Sequence, residues 1–240
     1  MPFTLAHPSA VVFLKSKYLN ICGLILGSMA PDFIYFILFN PSSNIGHTLS
    51  GFLLLNLPIC FILNYLIDNY IKDAFIINLP FKLPKYYCYL MSRKNNINSI
   101  KKTIVFIYSC IIGMITHVFW DAFTHDTGYF VEHIRILRYE IELLGFSLSI
   151  YKIIQHGSTM IGFIIILVYL YSIKKISNKL LESNKYKYHI TAIGIQVIVI
   201  GFSYLYFEKF GIGRFVVTFI NGLFIGYLAS SILYKYKCKN

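Results

Sequence analysis

Charge is the scarcest commodity in this sequence. Of 240 residues only 13 % are Asp, Glu, Lys or Arg, against the about 25 % with which a soluble domain coats its surface. With 57 % hydrophobic residues and a mean hydropathy of +0.63, that shortage excludes a water-soluble globule, and bilayer lipid has to act as part of the solvent. Acidic residues are rarest, 10 against 22 basic, for a formal net charge of +12. The basic residues lie between apolar runs and not along one face. This argues against nucleic acid as a partner and marks the loops of a membrane protein. No Cys-x-x-Cys pair occurs. Cys22, Cys60, Cys88, Cys110 and Cys238 are scattered, which disfavours a disulfide framework or a thiolate zinc knuckle and leaves them as small buried hydrophobes. A phosphate-cradling Gly-rich loop and a serine-nucleophile elbow are both missing, which argues against nucleotide chemistry and serine hydrolysis. The stretch after Lys15 and Lys17 is too long and too aromatic for a cleavable signal peptide.

What the chain does have is apolar runs. A bilayer-spanning helix needs about 20 mostly apolar residues, and six stretches qualify: 19–39, 49–67, 103–123, 158–173, 190–207 and 215–234. The fourth is short and is expected to begin before Ser158. The predicted fold is therefore an all-α, polytopic transmembrane helical bundle forming a single domain over residues 1–240. An N-terminal helical hairpin is expected from residues 10–18 and Ile21 onward, and an amphipathic outward helix from Tyr129 to Phe146. Seventeen of the 22 basic residues fall in the N-terminal stretch, residues 68–102, residues 174–189 and the tail. The positive-inside rule then places residues 68–102, 174–189 and the C-terminus in the cytoplasm of a multi-pass protein of the cell membrane. The basic, aromatic segment from Pro80 to Arg93 is expected along the anionic inner leaflet.

Ionisable groups inside such spans are costly and usually line a polar cavity or pathway. His117, Asp121 and His125 are spaced i, i+4, i+8, so a continuous helix would align them in one stripe. Imidazole and carboxylate are natural ligands for divalent transition metals. For His117 and Asp121 alone, a helix–helix hydrogen bond fits as well as a metal site. His7 precedes Pro8, Pro31 precedes Asp32, and a proline there frees backbone groups as in the broken helices of membrane sites. A hairpin would return His7 to the level of Asp32, with His47 approaching from the outer side. His156 precedes the fourth span. Single histidines near an interface are more often hydrogen-bonded packing residues, and His133 and His189 are read that way.

The segments from Met1 to Pro8 and from Gly27 to Phe33, together with His47-Thr48-Leu49, His117 to His125 and Gln155 to Ser158, resemble the bacterial domain-of-unknown-function family 4184 over most of the chain. More distantly, the order His, Pro-Asp, His, then His-x-x-x-Asp with a following His is similar to membrane-bound predicted metal-dependent hydrolases and to zinc-dependent phospholipase C. The resemblance implies a divalent metal, zinc, held by His7, Asp32, His47, His117, Asp121, His125 and His156. An uncoordinated carboxylate, Asp32 or Asp121, is then expected to act as base or to orient the water, and a site at the outer edge of the bilayer suits a lipid phosphodiester or ester better than a soluble substrate. His125 follows Asp121 more closely than in the phospholipases, and the soluble core of those enzymes has become six spans. The reading from another class is a non-enzymatic transporter, ion-pathway or resistance protein using the same residues. A third is a metal that only staples the helices.

Overall fold

Apolar runs of this length have no water to satisfy their N–H and C=O groups, so the chain satisfies them internally as helix. The structure, a computed structural model, describes residues 3–14, 16–95, 97–143, 145–177 and 184–234. Met1, Pro2, Lys15, Lys179, the tail lysines Lys235, Lys237 and Lys239, and Cys238 lie outside the described residues. The architecture is all-α and polytopic. Among the described residues six segments are long and apolar enough to cross a membrane: Ile21–Leu38, Leu49–Ile77, Ile100–His133, Ile150–Ser172, Lys185–Tyr206 and Ile212–Leu233. The fourth does begin before Ser158, at Ile150.

After a 3₁₀ helix, Thr4–Ala10, the first span divides into α1 (Ile21–Met29) and α2 (Phe33–Leu38), separated by a 3₁₀ turn, Ala30–Asp32. Pro31 causes the break, because it has no N–H to continue the ladder. The second span is α3 (Leu49–Ile77), with π turns at Phe52–Asn56 and Ile67–Ile71. Pro58 cannot donate to the preceding turn, and the first π turn sits just ahead of it. Next come α4 (Leu83–Tyr87), α5 (Ile100–Thr124) and α6 (Tyr129–His133). The antiparallel strands β1 (Glu140–Leu143) and β2 (Phe146–Ser149) follow. The chain ends with α7 (Ile150–Ser172), α8 (Lys185–Tyr206) and α9 (Ile212–Leu233).

Two local expectations are corrected. The first arm of the N-terminal hairpin is the 3₁₀ helix Thr4–Ala10, not a helix over residues 10–18. Ser16 Oγ takes the N–H of Tyr18 at 3.2 Å, a side-chain bond that competes with helix. The stretch from Tyr129 to Phe146 is not one amphipathic helix. It is α6, a 3₁₀ turn (Arg135–Arg138) and the hairpin β1–β2. The alternation Glu140-Ile141-Glu142-Leu143 has a period of two, the strand period, and Gly145 takes the left-handed φ of 81° at the turn.

The contacts divide the chain into two compact units: Met1–Asp32, Ile45–Cys60 and Ile97–Ile173 form the first, and Phe33–Asn44, Phe61–Asn96 and Lys174–Asn240 the second. In the second unit α8 and α9 approach closely enough that a Cβ on Gly226 would stand 2.3 Å from Ala192 O. Tyr188 and Ser231 hydroxyls pair at 2.9 Å, and Ser230 Oγ donates to Tyr188 O at 3.0 Å. His189 packs here as a hydrogen-bonded residue, Nε2 on Asn78 O at 2.8 Å and Nδ1 on Tyr227 Oη at 3.1 Å. Asp68 pairs with Lys72 and accepts the N–H of Asn95 at 2.9 Å.

In the first unit α1 lies directly on α5. A Cβ on Gly27 would fall 2.1 Å from Cys110 O, and one on Gly113 would fall 2.5 Å from Leu24 O and Ser28 N. Small residues on both helices thus bring backbone onto backbone, as is usual where helices associate in lipid. Cys60 and Cys110 are buried as expected, whereas Cys22 is only partly buried. Gly27→Val should lower stability by at least about 1–3 kcal/mol, because the added methyls meet rigid backbone and not a flexible side chain. Gly201→Ala, with nothing within 4 Å, should be close to neutral. Thermal unfolding in detergent checks both, and a Gly27→Val protein melting with wild type would contradict the close approach.

Candidate metal centre

The close α1–α5 approach sets the site. Ser28, one residue beyond Gly27, presents its carbonyl to His117 Nδ1 at 2.7 Å. A carbonyl only accepts, so Nδ1 carries a proton, and in the neutral ring it is Nε2 that offers a lone pair. That nitrogen faces Asp121 Oδ2 at 3.2 Å and Asp32 Oδ1 at 3.6 Å. His117 is completely buried and Asp32 is 1 % exposed. The 3₁₀ turn made by Pro31 delivers Asp32, and Thr4 Oγ1 donates to its Oδ2 at 2.5 Å, leaving Oδ1 to point at His117.

His7 arrives from the 3₁₀ helix Thr4–Ala10. Its ring stacks on that of His117 with centroids 3.8 Å apart, and its Nε2 is 3.7 Å from Asp121 Oδ1. Burial pushes the His7 imidazole down to about 3, so the ring is neutral at physiological pH and has a lone pair to offer. His47 comes from the 3₁₀ turn Ile45–His47 just before α3. Thr48 caps that helix by accepting Gly51 N–H at 3.0 Å, and buried Asn56 donates to Gly46 O at 2.7 Å. The turn is too tight for a side chain at position 51, where a Cβ would be 1.9 Å from Ile45 O. Held in this way, His47 Nε2 stands 3.7 Å from Asp32 Oδ1 and 3.5 Å from Asp121 Oδ2.

These separations discriminate between a hydrogen-bonded cluster and a ligand set. Nitrogen–oxygen hydrogen bonds run about 2.7–3.2 Å, and every imidazole–carboxylate pair above except His117–Asp121 is longer. Ligands 2.0–2.2 Å from a tetrahedral ion stand about 3.4 Å from one another, which is the middle of the observed range. His7 Nε2, Asp32 Oδ1, His117 Nε2 and Asp121 Oδ1 are all buried without a hydrogen-bond partner, a costly state unless something else satisfies them. His7, His117 and Asp121 form one group whose ligand atoms lie within 4.8 Å of one another, and Asp32, His47 and His117 form a second. The two groups share His117, and either could hold a metal ion.

Two of the anticipated residues are placed differently. α5 ends at Thr124, and His125 caps it in extended conformation (φ −109°, ψ 147°), leaving the stripe that a continuous helix would have made. The cause is the turn that follows, where Gly128 N–H bonds His125 O at 2.9 Å and a Cβ on Gly128 would be 2.5 Å from Ala122 O. His125 stays at the rim: its Nδ1 is 3.5 Å from Asp121 Oδ1, but it donates to the Asp121 carbonyl at 3.1 Å. His156 is exposed on α7, and among the described residues it belongs to neither ligand group. His133 is a packing residue, stacked on Tyr129 with its Nδ1 on the Tyr129 carbonyl at 2.7 Å. Sequence reasoning missed Thr4, Ser28 and Asn56, which orient the cluster. Thr4 lies three residues before His7, and that proximity is the one signal that pointed to it.

The fold and the cluster together define a multi-pass helical protein with a buried His/Asp centre able to hold a metal ion. Its sequence matches the family described as Domain of unknown function (DUF4184) over residues 1–232, and the chain belongs to that family. No curated protein and no solved structure matches it.

Metal analysis of the detergent-purified protein should find a bound divalent ion that His117→Ala removes and His156→Ala retains. Thr4→Val should weaken metal affinity about 10–100-fold, the usual effect of removing a partner that orients a ligand. Equal metal content in wild type and His117→Ala would contradict this geometry.

Proposed function

We propose that this protein is a membrane-embedded, zinc-dependent hydrolase that acts on a lipid phosphodiester or ester at the outer leaflet. The observation that carries the reading is the donor set itself: three imidazoles and two carboxylates, all but His47 buried, at separations suited to a cation and, His117–Asp121 apart, too long for hydrogen bonds. A nitrogen and oxygen donor set of this kind suits zinc. When bound, such an ion supplies Lewis acidity and makes water a nucleophile at neutral pH.

The chain's own residues divide the remaining work. The Ser28 carbonyl fixes the His117 tautomer, and the Thr4 hydroxyl fixes the Asp32 carboxylate, so both are rigidly presented. The accessible side is marked by His47 and His125, whose side chains are 20 % and 28 % exposed. Asp121 borders both of them, and Thr4 does not restrain it. It is therefore the better placed carboxylate to accept a proton from an attacking water, while Asp32 holds the cluster. Lysine and arginine sorting supports the C-terminus in the cytoplasm and the segments carrying His47 and His125 on the outer side. That placement favours a lipid over a soluble substrate.

Phospholipid presented in vesicles should be cleaved by the wild-type protein, with release of headgroup or fatty acid followed by chromatography. Asp121→Asn should cut turnover by about 10²–10⁴-fold, and a chelator should abolish it. Gradient-driven ion or solute flux in proteoliposomes, without lipid products, would overturn the hydrolase reading in favour of a transporter. Loss of thermal stability on chelation with no turnover of any lipid would overturn it in favour of a structural staple.

A further inference from the structure

Beside the ion site the first unit contains a cavity of about 540 Å³, within the range of about 300–1,000 Å³ typical of ligand pockets. Its walls come from the 3₁₀ helix Thr4–Ala10, α5 and α7, and Ala6, Ile115, Phe119, Ile161 and Ile165 are prominent in them. His7 also lines it, so the cavity and the ion site share a residue. Among the described residues no Asp, Glu, Lys or Arg lines the cavity.

Of the three hydroxyl side chains in the walls, Ser9, Thr116 and Ser158, the last two are already committed to carbonyls of their own helices. Thr116 Oγ1 donates to Gly113 O at 2.7 Å. Ser158 Oγ donates to Gln155 O at 3.1 Å and accepts from Trp120 Nε1 at 3.2 Å. A sugar or nucleotide placed here would leave its polar groups unpaired, which is expensive in an apolar site. A hydrocarbon chain meets no such cost. Ile115, Phe119 and Ile161 are more than half exposed on helices that belong to candidate membrane spans, so the medium that meets this opening is itself hydrocarbon.

We propose that this cavity takes one acyl chain of a membrane lipid and so sets its linkage group beside His7 and the metal centre. The assignment rests on the hydrolase reading for its purpose, but occupancy by an acyl chain is measurable without turnover. The probe is a phosphatidylethanolamine carrying a diazirine at mid-chain, in vesicles of phosphatidylethanolamine and phosphatidylglycerol, with crosslinks mapped by mass spectrometry. Crosslinks should concentrate on Ile115, Ile161 and Ile165, and Ile165→Trp, which fills the space, should reduce them on the order of tenfold while leaving metal content unchanged. Chelation should leave the labelling in place even as any turnover is lost, which separates this proposal from the catalytic one. Labelling of these positions no stronger than that of outward residues such as Val197 and Leu205, or labelling indifferent to Ile165→Trp, would overturn it.

Discussion

Everything in the first unit depends on how closely α1 can lie on α5. Within lipid, helices gain little from burying apolar surface against one another, and close packing has to supply the association. Gly27 and Gly113 remove the side chains that would hold the two backbones apart, with added Cβ atoms reaching within 2.1 and 2.5 Å of opposing backbone. The same contact that packs the helices presents a main-chain carbonyl, Ser28 O, to the imidazole of His117. Packing and ligand orientation are thus one event, and neither can be altered alone.

The polar residues follow from that frame. Two carboxylates and three imidazoles withdrawn from water are expensive, and several kilocalories per mole must be recovered for each buried charge. Hydrogen bonds recover little of it, because four of the site's ligand atoms make none and most donor–acceptor separations exceed hydrogen-bonding range. A shared divalent cation would recover it directly, by taking a lone pair from each ligand that reaches it. The shorter contacts, Thr4 to Asp32 and His117 to Ser28, are those by which Thr4 and Ser28 orient the side chains that could hold an ion.

Much of this was legible in the sequence, for reasons that differ by element. The six spans were visible because hydrophobic length is a direct physical requirement of the bilayer. The break at Pro31 and the bringing together of His7, Asp32, His47, His117 and Asp121 could be read because ionisable groups are rare in such runs and proline has a fixed effect on a helix. The placement of His125 was misjudged because its helix ends one residue earlier, under the control of Gly128, a turn signal outweighed by the attraction of an i, i+4, i+8 stripe. The hairpin at residues 140–149 was hidden behind charged residues that suit an amphipathic helix as well, although their period is two. Thr4, Ser28 and Asn56 were missed on other grounds: they act through a hydroxyl, a carbonyl and an amide on partners distant in sequence or on backbone, and nothing in local periodicity encodes such pairs.

X-ray absorption at the zinc edge of the purified protein tests the central claim most directly. The account predicts a shell of nitrogen and oxygen ligands at about 2.0–2.2 Å, with the outer-shell scattering of at least two imidazoles. A protein that holds no metal after purification and zinc addition, or a spectrum of solvent ligands alone without imidazole scattering, would contradict it.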